Sequence, residues 1–263
     1  MLTGNALVTG AGSGIGRAVA LRLAREGVKV WAAGIHGENV QRVASEILAD
    51  GGDARARAAD VTQKSSVEQV VEEIYAEDKR LDIVVANAGV SSMNHFLDLH
   101  EADWDHNFRV NVLGTFLTLQ TCGRRMIGQD FIRGRGLRSK MIAVASRAGR
   151  RAAPLLAHYS ATKFAVIGMV QAAAKELAAA RITVNAVNPG AVTTPMQERE
   201  VRWEAALRDI PPEDIIRRCV NDTPLGRLET PEDVAGVIAF LAGPDSDFMT
   251  GEVIEINGGS WIY

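Results

Sequence analysis

The chain has 263 residues, of which 47% are hydrophobic but only 5% aromatic, and its formal net charge is −3. That length fits one α/β domain spanning 1–263, with Val, Ala, Ile and Leu left to fill the core. The charge gives no global reason to expect nucleic acid or a membrane surface as partner, and no run approaches the roughly 18 apolar residues of a membrane span.

The first residues, Met1 to Asn5, lack the basic region and long apolar stretch of a secretory leader. Cys122 and Cys219 stand far apart without metal-ligand spacing, so they read as free thiols of a reducing compartment. A cytoplasmic protein without bound metal is expected. Short apolar runs then alternate with helical periodicity almost to the end. Strands are expected at Ala6–Thr9, Lys29–Ala33, Ala54–Ala58, Ile83–Ala86, Met141–Ala145, Thr183–Asn188 and Val253–Ile256. Helices are expected at Gly14–Glu26, Glu38–Ala49, Ser65–Ala76, Trp104–Met126, Tyr159–Ala179 and Pro231–Leu241. This alternation predicts a doubly wound parallel sheet of about seven strands with helices on both faces, a Rossmann-type α/β fold. Two stretches break the pattern. Gln129–Ser139 is polar and glycine-containing, as in a surface loop. Thr193–Pro224 holds Pro195, Pro211, Pro212 and Pro224 after a strand, where a long irregular segment is expected to lie as a lid over substrate.

Between the first strand and helix runs Thr9-Gly10-Ala11-Gly12-Ser13-Gly14-Ile15-Gly16. Glycines there let the backbone turn tightly and approach a pyrophosphate, which the helix N-terminus attracts. Alone this is a weak signal, since tight βα turns also use glycine; after the first strand of an alternating chain it points to a dinucleotide. In Tyr159-Ser160-Ala161-Thr162-Lys163 the i, i+4 spacing puts phenol and ammonium on one helix face. A phenol titrates near pKa ~10, so its anion costs about 4 kcal/mol at neutral pH. A nearby lysine is expected to lower that pKa and make Tyr159 a usable acid/base, with Ser146 placed to bind the reacting oxygen. Taken alone, such a Tyr/Lys pair is more often a solvated helix face.

Together, Thr9-Gly10-x3-Gly14-x-Gly16, Asn87-Ala88-Gly89, Asn111, Ser146, Tyr159-x3-Lys163 and Pro189-Gly190 resemble, in order and spacing, the short-chain dehydrogenase/reductase family. The resemblance spans the chain up to Asn257-Gly258-Gly259. It implies an NAD(P)-dependent oxidoreductase that exchanges hydride with a secondary alcohol or ketone. Tyr159 would be the general acid/base. Lys163 would bind the nicotinamide ribose, Ser146 the substrate oxygen, and Asn111 would support a water relay behind Lys163. Gly10, Ser13, Gly14, Ile15 and Gly16 would cradle the pyrophosphate, Asp60 and Val61 would contact adenine, and Asn87, Ala88 and Gly89 would wall the adenosine ribose. Pro189, Gly190, Val192 and Thr194 would hold the nicotinamide carboxamide. The family also implies a homotetramer packed through its long fourth and fifth helices.

The chain departs from the family after the second strand. Members that prefer NAD place a carboxylate there; this chain has Gly34, followed by Ile35 and His36. The change removes a ribose acceptor and the repulsion against a 2′-phosphate, yet no arginine or lysine replaces it. The balance between NAD and NADP tips towards NAD for want of a cation. A basic run comprises Arg124, Arg125, Arg133, Arg135, Arg138, Lys140, Arg147, Arg150 and Arg151 against Asp130. It reads either as solvated charge or, for Arg147, Arg150 and Arg151, as an approach to a polar or anionic substrate. Trp203, Trp261 and Tyr263 are open between pocket, subunit contact and packing. Segments 145–175 and 243–251 are most similar to polyol, diol and acetoin dehydrogenases of the family, implying a small hydroxylated substrate. The alternatives are a 3-oxoacyl-thioester reductase using NADPH, which would set the basic run against an acidic carrier protein, and a dinucleotide-binding regulator without turnover.

Overall fold

The computed structural model describes residues 2 and 4–262; Met1, Thr3 and the candidate aromatic Tyr263 lie outside them. Seven parallel strands form one sheet in the order β3-β2-β1-β4-β5-β6-β7. They are β1 (Asn5–Thr9), β2 (Lys29–Gly34), β3 (Ala54–Ala58), β4 (Ile83–Ala86), β5 (Ser139–Val144), β6 (Ile182–Pro189) and β7 (Val253–Ile256). Helices α1 (Gly14–Arg25), α2 (Gly37–Ala49), α3 (Lys64–Asp78), α4 (Glu101–Asn107), α5 (Gly114–Met126), α6 (Ala157–Leu177), α7 (Pro195–Arg208), α8 (Pro212–Asn221) and α9 (Pro231–Ala242) connect and flank them. Strand order reverses between β1 and β4, and ligands of such sheets bind at the carboxyl ends beside that reversal.

Alternation along each strand divides the core in two. Ala6, Val8, Val30, Ala32, Ile83, Val85, Ile142 and Val144 face α1, α2 and α9. Leu7, Trp31, Val84, Met141, Ala143 and Val184 face α3, α5 and α6. Both faces are covered, which is why the central strands β1, β4 and β5 are nearly continuous apolar runs, whereas the edge strand β3 alternates Ala and Arg. Each fully buried Val, Leu or Ile contributes about 1.5–3 kcal/mol.

Two expectations need correction. The segment 193–224 is mostly helical. Its prolines occupy first turns, where a missing N–H costs nothing: Pro195 follows the cap Thr194, whose Oγ1 accepts from Gln197 N at 3.2 Å, and Pro212 opens α8. The helix expected over Trp104–Met126 begins earlier, at Glu101, and is interrupted by a wide π-type turn at Phe108–Leu113. The stretch 129–139 is an irregular, partly exposed loop, as expected, and is anchored at its start. Gln129 is buried and bonds Leu81 N and O, Arg138 O, Ser139 Oγ and Tyr75 Oη.

The basic run is dispersed. Arg135 and Lys140 pair with Asp247, Arg150 pairs with Glu255, and the Arg125 and Arg138 guanidinium groups lie over the Tyr75 and Phe131 rings. Arg151 is exposed. Trp203 is exposed, and Trp261 accepts a hydrogen bond from Asn257 at its carbonyl. Among the described residues, no helix is long and apolar enough to cross a membrane.

Candidate active site

The carboxyl ends of β1, β4, β5 and β6 converge on one cleft. The turn after β1 is held against the end of β4: Thr9 Oγ1 accepts from Asn87 N at 3.0 Å and Ala88 N at 3.2 Å, and Asn87 Nδ2 donates to Thr9 O at 2.9 Å. Packing is too close here for side chains. A β-carbon at Gly10 would sit 2.8 Å from Ala88 Cα, with φ at +64°, and one at Gly16 would overlap the Gly10 carbonyl oxygen. Only glycine fits at both. Ser13 caps α1 without using its side chain, and the first turn, with Ile15 half-buried, holds no acidic residue. The free N–H groups and positive end of α1 suit an anion.

Gly34 ends β2 beside this turn. A β-carbon there would lie 3.1 Å from Val40 Cγ1 and 3.9 Å from Ala11 N and Gly10 Cα. Ile35 next to it is 66% exposed, an apolar surface suited to an adenine face. His36 is exposed at the start of α2 and makes no capping bond. Asp60 at the end of β3 turns its Oδ1 to Thr62 N (2.9 Å) and Thr62 Oγ1 (2.8 Å), and Val61 is buried.

On the other side, Gly190 N donates to Glu229 Oε2 at 2.7 Å, and Thr193 N donates to Glu229 O at 2.9 Å. These bonds hold 189–194 in an extended course, with Val192 buried and paired with Glu229. Its end meets the glycine turn: a β-carbon on Gly14 would lie 3.1 Å from Thr194 Cγ2. A groove therefore runs from Gly34 and Asp60 past the start of α1 to Thr194.

Beyond it stand the four residues of the expected catalytic set. Ser146 follows β5 and caps a short 3₁₀ turn, accepting from Ala148 N at 3.1 Å. Tyr159 and Lys163 share a face of α6, with Nζ 5.5 Å from the ring centroid. Lys163 Nζ donates to Val144 O at 3.0 Å. A β-carbon on Gly89 would lie 3.2 Å from Asn111 Oδ1 and 3.7 Å from Lys163 Nζ, so all three meet. Asn111 sits in the π-type turn, accepting from Val90 N at 2.8 Å and donating to Val90 O at 2.9 Å and Thr162 Oγ1 at 3.1 Å. Wide turns of this kind re-aim a side chain that a regular helix would point elsewhere.

Burial dominates the electrostatics of Tyr159 and Lys163. Burial pushes Tyr159 well above the usual phenol range, and the charge of Glu200 adds to this, opposed by a hydrogen bond from Ser146. Burial brings Lys163 down to about 8, with Glu200 working the other way. Glu200 and Ser91 were absent from the sequence-derived set. Glu200, on α7, accepts a hydrogen bond from Ser91 Oγ, and burial raises its carboxyl pKa. Neither belongs to a recurring spacing, so only the fold brings them to the cleft. Arg147 also reaches this end, its Nη1 bonding Ser260 Oγ at 3.2 Å and its charge acting on Glu200 and Glu229. Arg150 and Arg151 do not join it.

The comparisons with known proteins bear on the family and the fold. Residues 4–205 match the family model described as short chain dehydrogenase. The chain is similar to a short-chain dehydrogenase/reductase of Armillaria gallica, 38% identical over 257 residues covering 97% of this chain and 94% of the relative. It is also similar to the 3-oxoacyl-[acyl-carrier-protein] reductase FabG of Thermotoga maritima, 37% identical over 253 residues, 96% of each chain. Among solved structures, NAD+-bound xylitol dehydrogenase superposes with a TM-score of 0.91 at 32% identity, covering 97% of this chain and 98% of that one. This chain belongs to the short-chain dehydrogenase family.

Proposed function

We propose that the protein oxidises a small hydroxylated secondary alcohol, or reduces the matching ketone, within a single domain that binds both dinucleotide and substrate. The observation that carries this reading is the meeting of Ser146, Tyr159, Lys163 and Asn111 at the end of a groove built like a dinucleotide site. The nicotinamide supplies or accepts the hydride when bound. Gly10, Ser13, Gly14, Ile15 and Gly16 would hold its pyrophosphate, Ile35 and Val61 its adenine, and Pro189 to Thr194 its carboxamide.

Tyr159 Oη passes a proton to the carbonyl oxygen in reduction and takes it from the hydroxyl in oxidation. Ser146 Oγ donates a hydrogen bond to the same oxygen and keeps it within reach of the phenol. Lys163 has one hydrogen bond to the described residues, so its remaining N–H donors are available to the ribose. Asn111 fixes the loop at Val90 that backs Lys163. Cofactor choice turns on Gly34, which offers no carboxylate to the ribose and is followed by Ile35 and His36 with no arginine or lysine beside it in sequence, and we favour NAD. A homotetramer is supported by a mostly apolar groove where α4, the wide turn, α5 and α6 meet, lined by Phe108, Val112, Leu113, Phe116 and Met169 together with Asp105 and Arg109.

Tyr159→Phe tests the reading. Turnover is expected to fall by about 10²–10⁴-fold, roughly 3–5 kcal/mol, while nucleotide binding persists. Activity within a few-fold of wild type removes Tyr159 from the chemistry.

A second reading, a 3-oxoacyl-thioester reductase, is favoured by the similarity to the Thermotoga enzyme over the whole chain. A spectrophotometric screen of polyols, diols, acetoin and oxoacyl thioesters with NAD(H) and NADP(H) separates the two.

A further inference from the structure

Glu200 lies in the second turn of α7, just past the segment expected to hold the nicotinamide. It accepts a hydrogen bond from Ser91, two residues beyond Gly89. This contact joins two walls of the cleft that are distant in sequence. The Ser91 wall is fixed from behind. Val90 is clasped through both backbone groups by Asn111, and Ser92 Oγ bonds His158 Nε2 at 2.7 Å and Asn107 Nδ2 at 3.1 Å. His158 is fully buried and immediately precedes Tyr159. Ser91 is therefore a firm mount, and it holds the carboxyl group close enough for its charge to bear on both Tyr159 and Lys163.

Among the described residues Glu200 has no ion-pair partner within 4 Å; Arg147 and Arg199 act on it only from a distance. Its Oε1 accepts the hydrogen bond donated by Ser91 Oγ, and Oε2 accepts no hydrogen bond from the described residues. An ionised carboxylate is an acceptor only, with about four lone-pair sites. A substrate lying against Tyr159 and Ser146 thus meets an acceptor-only group with capacity to spare.

Resting on the hydride-transfer reading above, we propose that Glu200, mounted on Ser91, determines substrate class. It accepts a hydrogen bond from a second hydroxyl of the substrate and repels substrates with a carboxylate in that place. The physical reasons are two. A charge-assisted hydrogen bond from a hydroxyl is stronger than a neutral one. A carboxylate at short range in a half-buried cleft meets like charge with little screening. An oxoacyl thioester also fits poorly, because its second carbonyl is an acceptor facing an acceptor.

The test compares kcat/KM for 2,3-butanediol, 2-butanol and 3-hydroxybutyrate, substrates of matched size, in wild type, Glu200→Gln and Glu200→Asp. Wild type is expected to favour the diol over the mono-alcohol by at least about tenfold, and over the hydroxy acid by more. In Glu200→Gln, whose amide oxygen still accepts from Ser91, the handicap of the hydroxy acid relative to the diol should shrink by about 10–100-fold. Most of that change should appear in KM. Glu200→Asp keeps the charge and should restore the rejection of the hydroxy acid. Ratios that move less than twofold, or three substrates that lose activity together in Glu200→Gln, overturn the assignment. Turnover confined to oxoacyl thioesters overturns it as well. If wild type transfers hydride with no substrate in the wider screen, the reaction itself has been misread and Glu200 falls with it. Turnover with unmoved ratios removes Glu200 alone.

Discussion

Two buried lysines flank β5, and they have opposite surroundings. At the start of the strand, Lys140 is 1% exposed and fully engaged: Nζ lies 2.5 Å from Gly243 O, 2.6 Å from Ser246 Oγ and 2.9 Å from Asp247 Oδ1. Beyond its other end, Lys163 is 5% exposed and bonds only Val144 O among the described residues, with Glu200 as the charge that opposes its desolvation. Both ammonium groups are displaced downward by burial. A buried cation whose donors are all used holds structure together, whereas one with donors to spare has been kept for something else. The same sheet thus separates a closed end from a reactive end.

Replacing each lysine with methionine, which fills similar space without charge, is the most direct way to break that contrast. Lys163→Met should lower kcat/KM by about 10²-fold, weaken dinucleotide affinity and move the pH–rate limb of alcohol oxidation to higher pH. Thermal stability should hold or rise, since an under-partnered buried charge is lost. Lys140→Met should do the reverse. It takes the ammonium away from the Gly243 carbonyl and Ser246 Oγ and leaves Asp247 to Arg135 alone, so unfolding free energy should drop by about 2–3 kcal/mol with kcat per folded molecule retained. Matched denaturation curves and steady-state kinetics decide it; losses of the same kind in both variants would end the distinction.

Glu229 sharpens the contrast. Its Oε2 holds Gly190 while Oε1 is buried without a hydrogen-bond partner. Burial, opposed by the Gly190 bond, raises its carboxyl from 4.5 to about 7. The folded protein binds this proton more tightly than the unfolded chain does. The resulting stabilisation is complete below about pH 4.5 and disappears as pH rises through about 7. Glu229→Gln keeps the neutral form at all pH values. Its advantage over wild type in urea denaturation should grow from nothing at pH 4.5 to as much as about 3 kcal/mol at pH 8. A difference that does not vary with pH would mean that Glu229 is ionised throughout.

The smallest effect expected comes from adding an open charge by design. Gly34→Asp would place a carboxylate beside the glycine turn, with Val40 giving way by a few tenths of an ångström. It should favour NAD over NADP by a further ten- to hundredfold in kcat/KM at fixed ionic strength, about 1–3 kcal/mol. An unchanged ratio would place the ribose elsewhere.

The sheet was legible because central parallel strands covered on both faces read as apolar runs and the edge strand β3 as an alternating one: β3, β4 and β7 fall where expected, and the others differ by one or two residues. The glycine turn and the Tyr159/Lys163 pair were legible because each depends on short spacing. What escaped depends on position in space or on local rules with two meanings. Pro195 and Pro212 look like helix breakers until the preceding cap is recognised. The pairing of Ser91 with Glu200 spans 109 residues, and no periodicity announces it. The basic run looked like one patch because its members are neighbours in sequence, yet the fold sends Arg135 and Lys140 to Asp247 and Arg150 to Glu255. The Tyr159/Lys163 spacing conveyed proximity but not how deeply burial desolvates both groups.

The wide turn that seats Asn111 has a consequence for how such a chain tolerates change in length. A π-type turn houses one residue more than a regular helix while leaving the helical phase on either side nearly undisturbed. Deleting one residue between Phe108 and Leu113 would therefore let α4 and α5 keep their present faces against the core. The turn would tighten, and the clasp on Val90 would be lost with it. The shortened chain would be a stable protein with a displaced loop behind Lys163. In this stretch the residue that serves the cleft is, in effect, an insertion that the rest of the fold does not need.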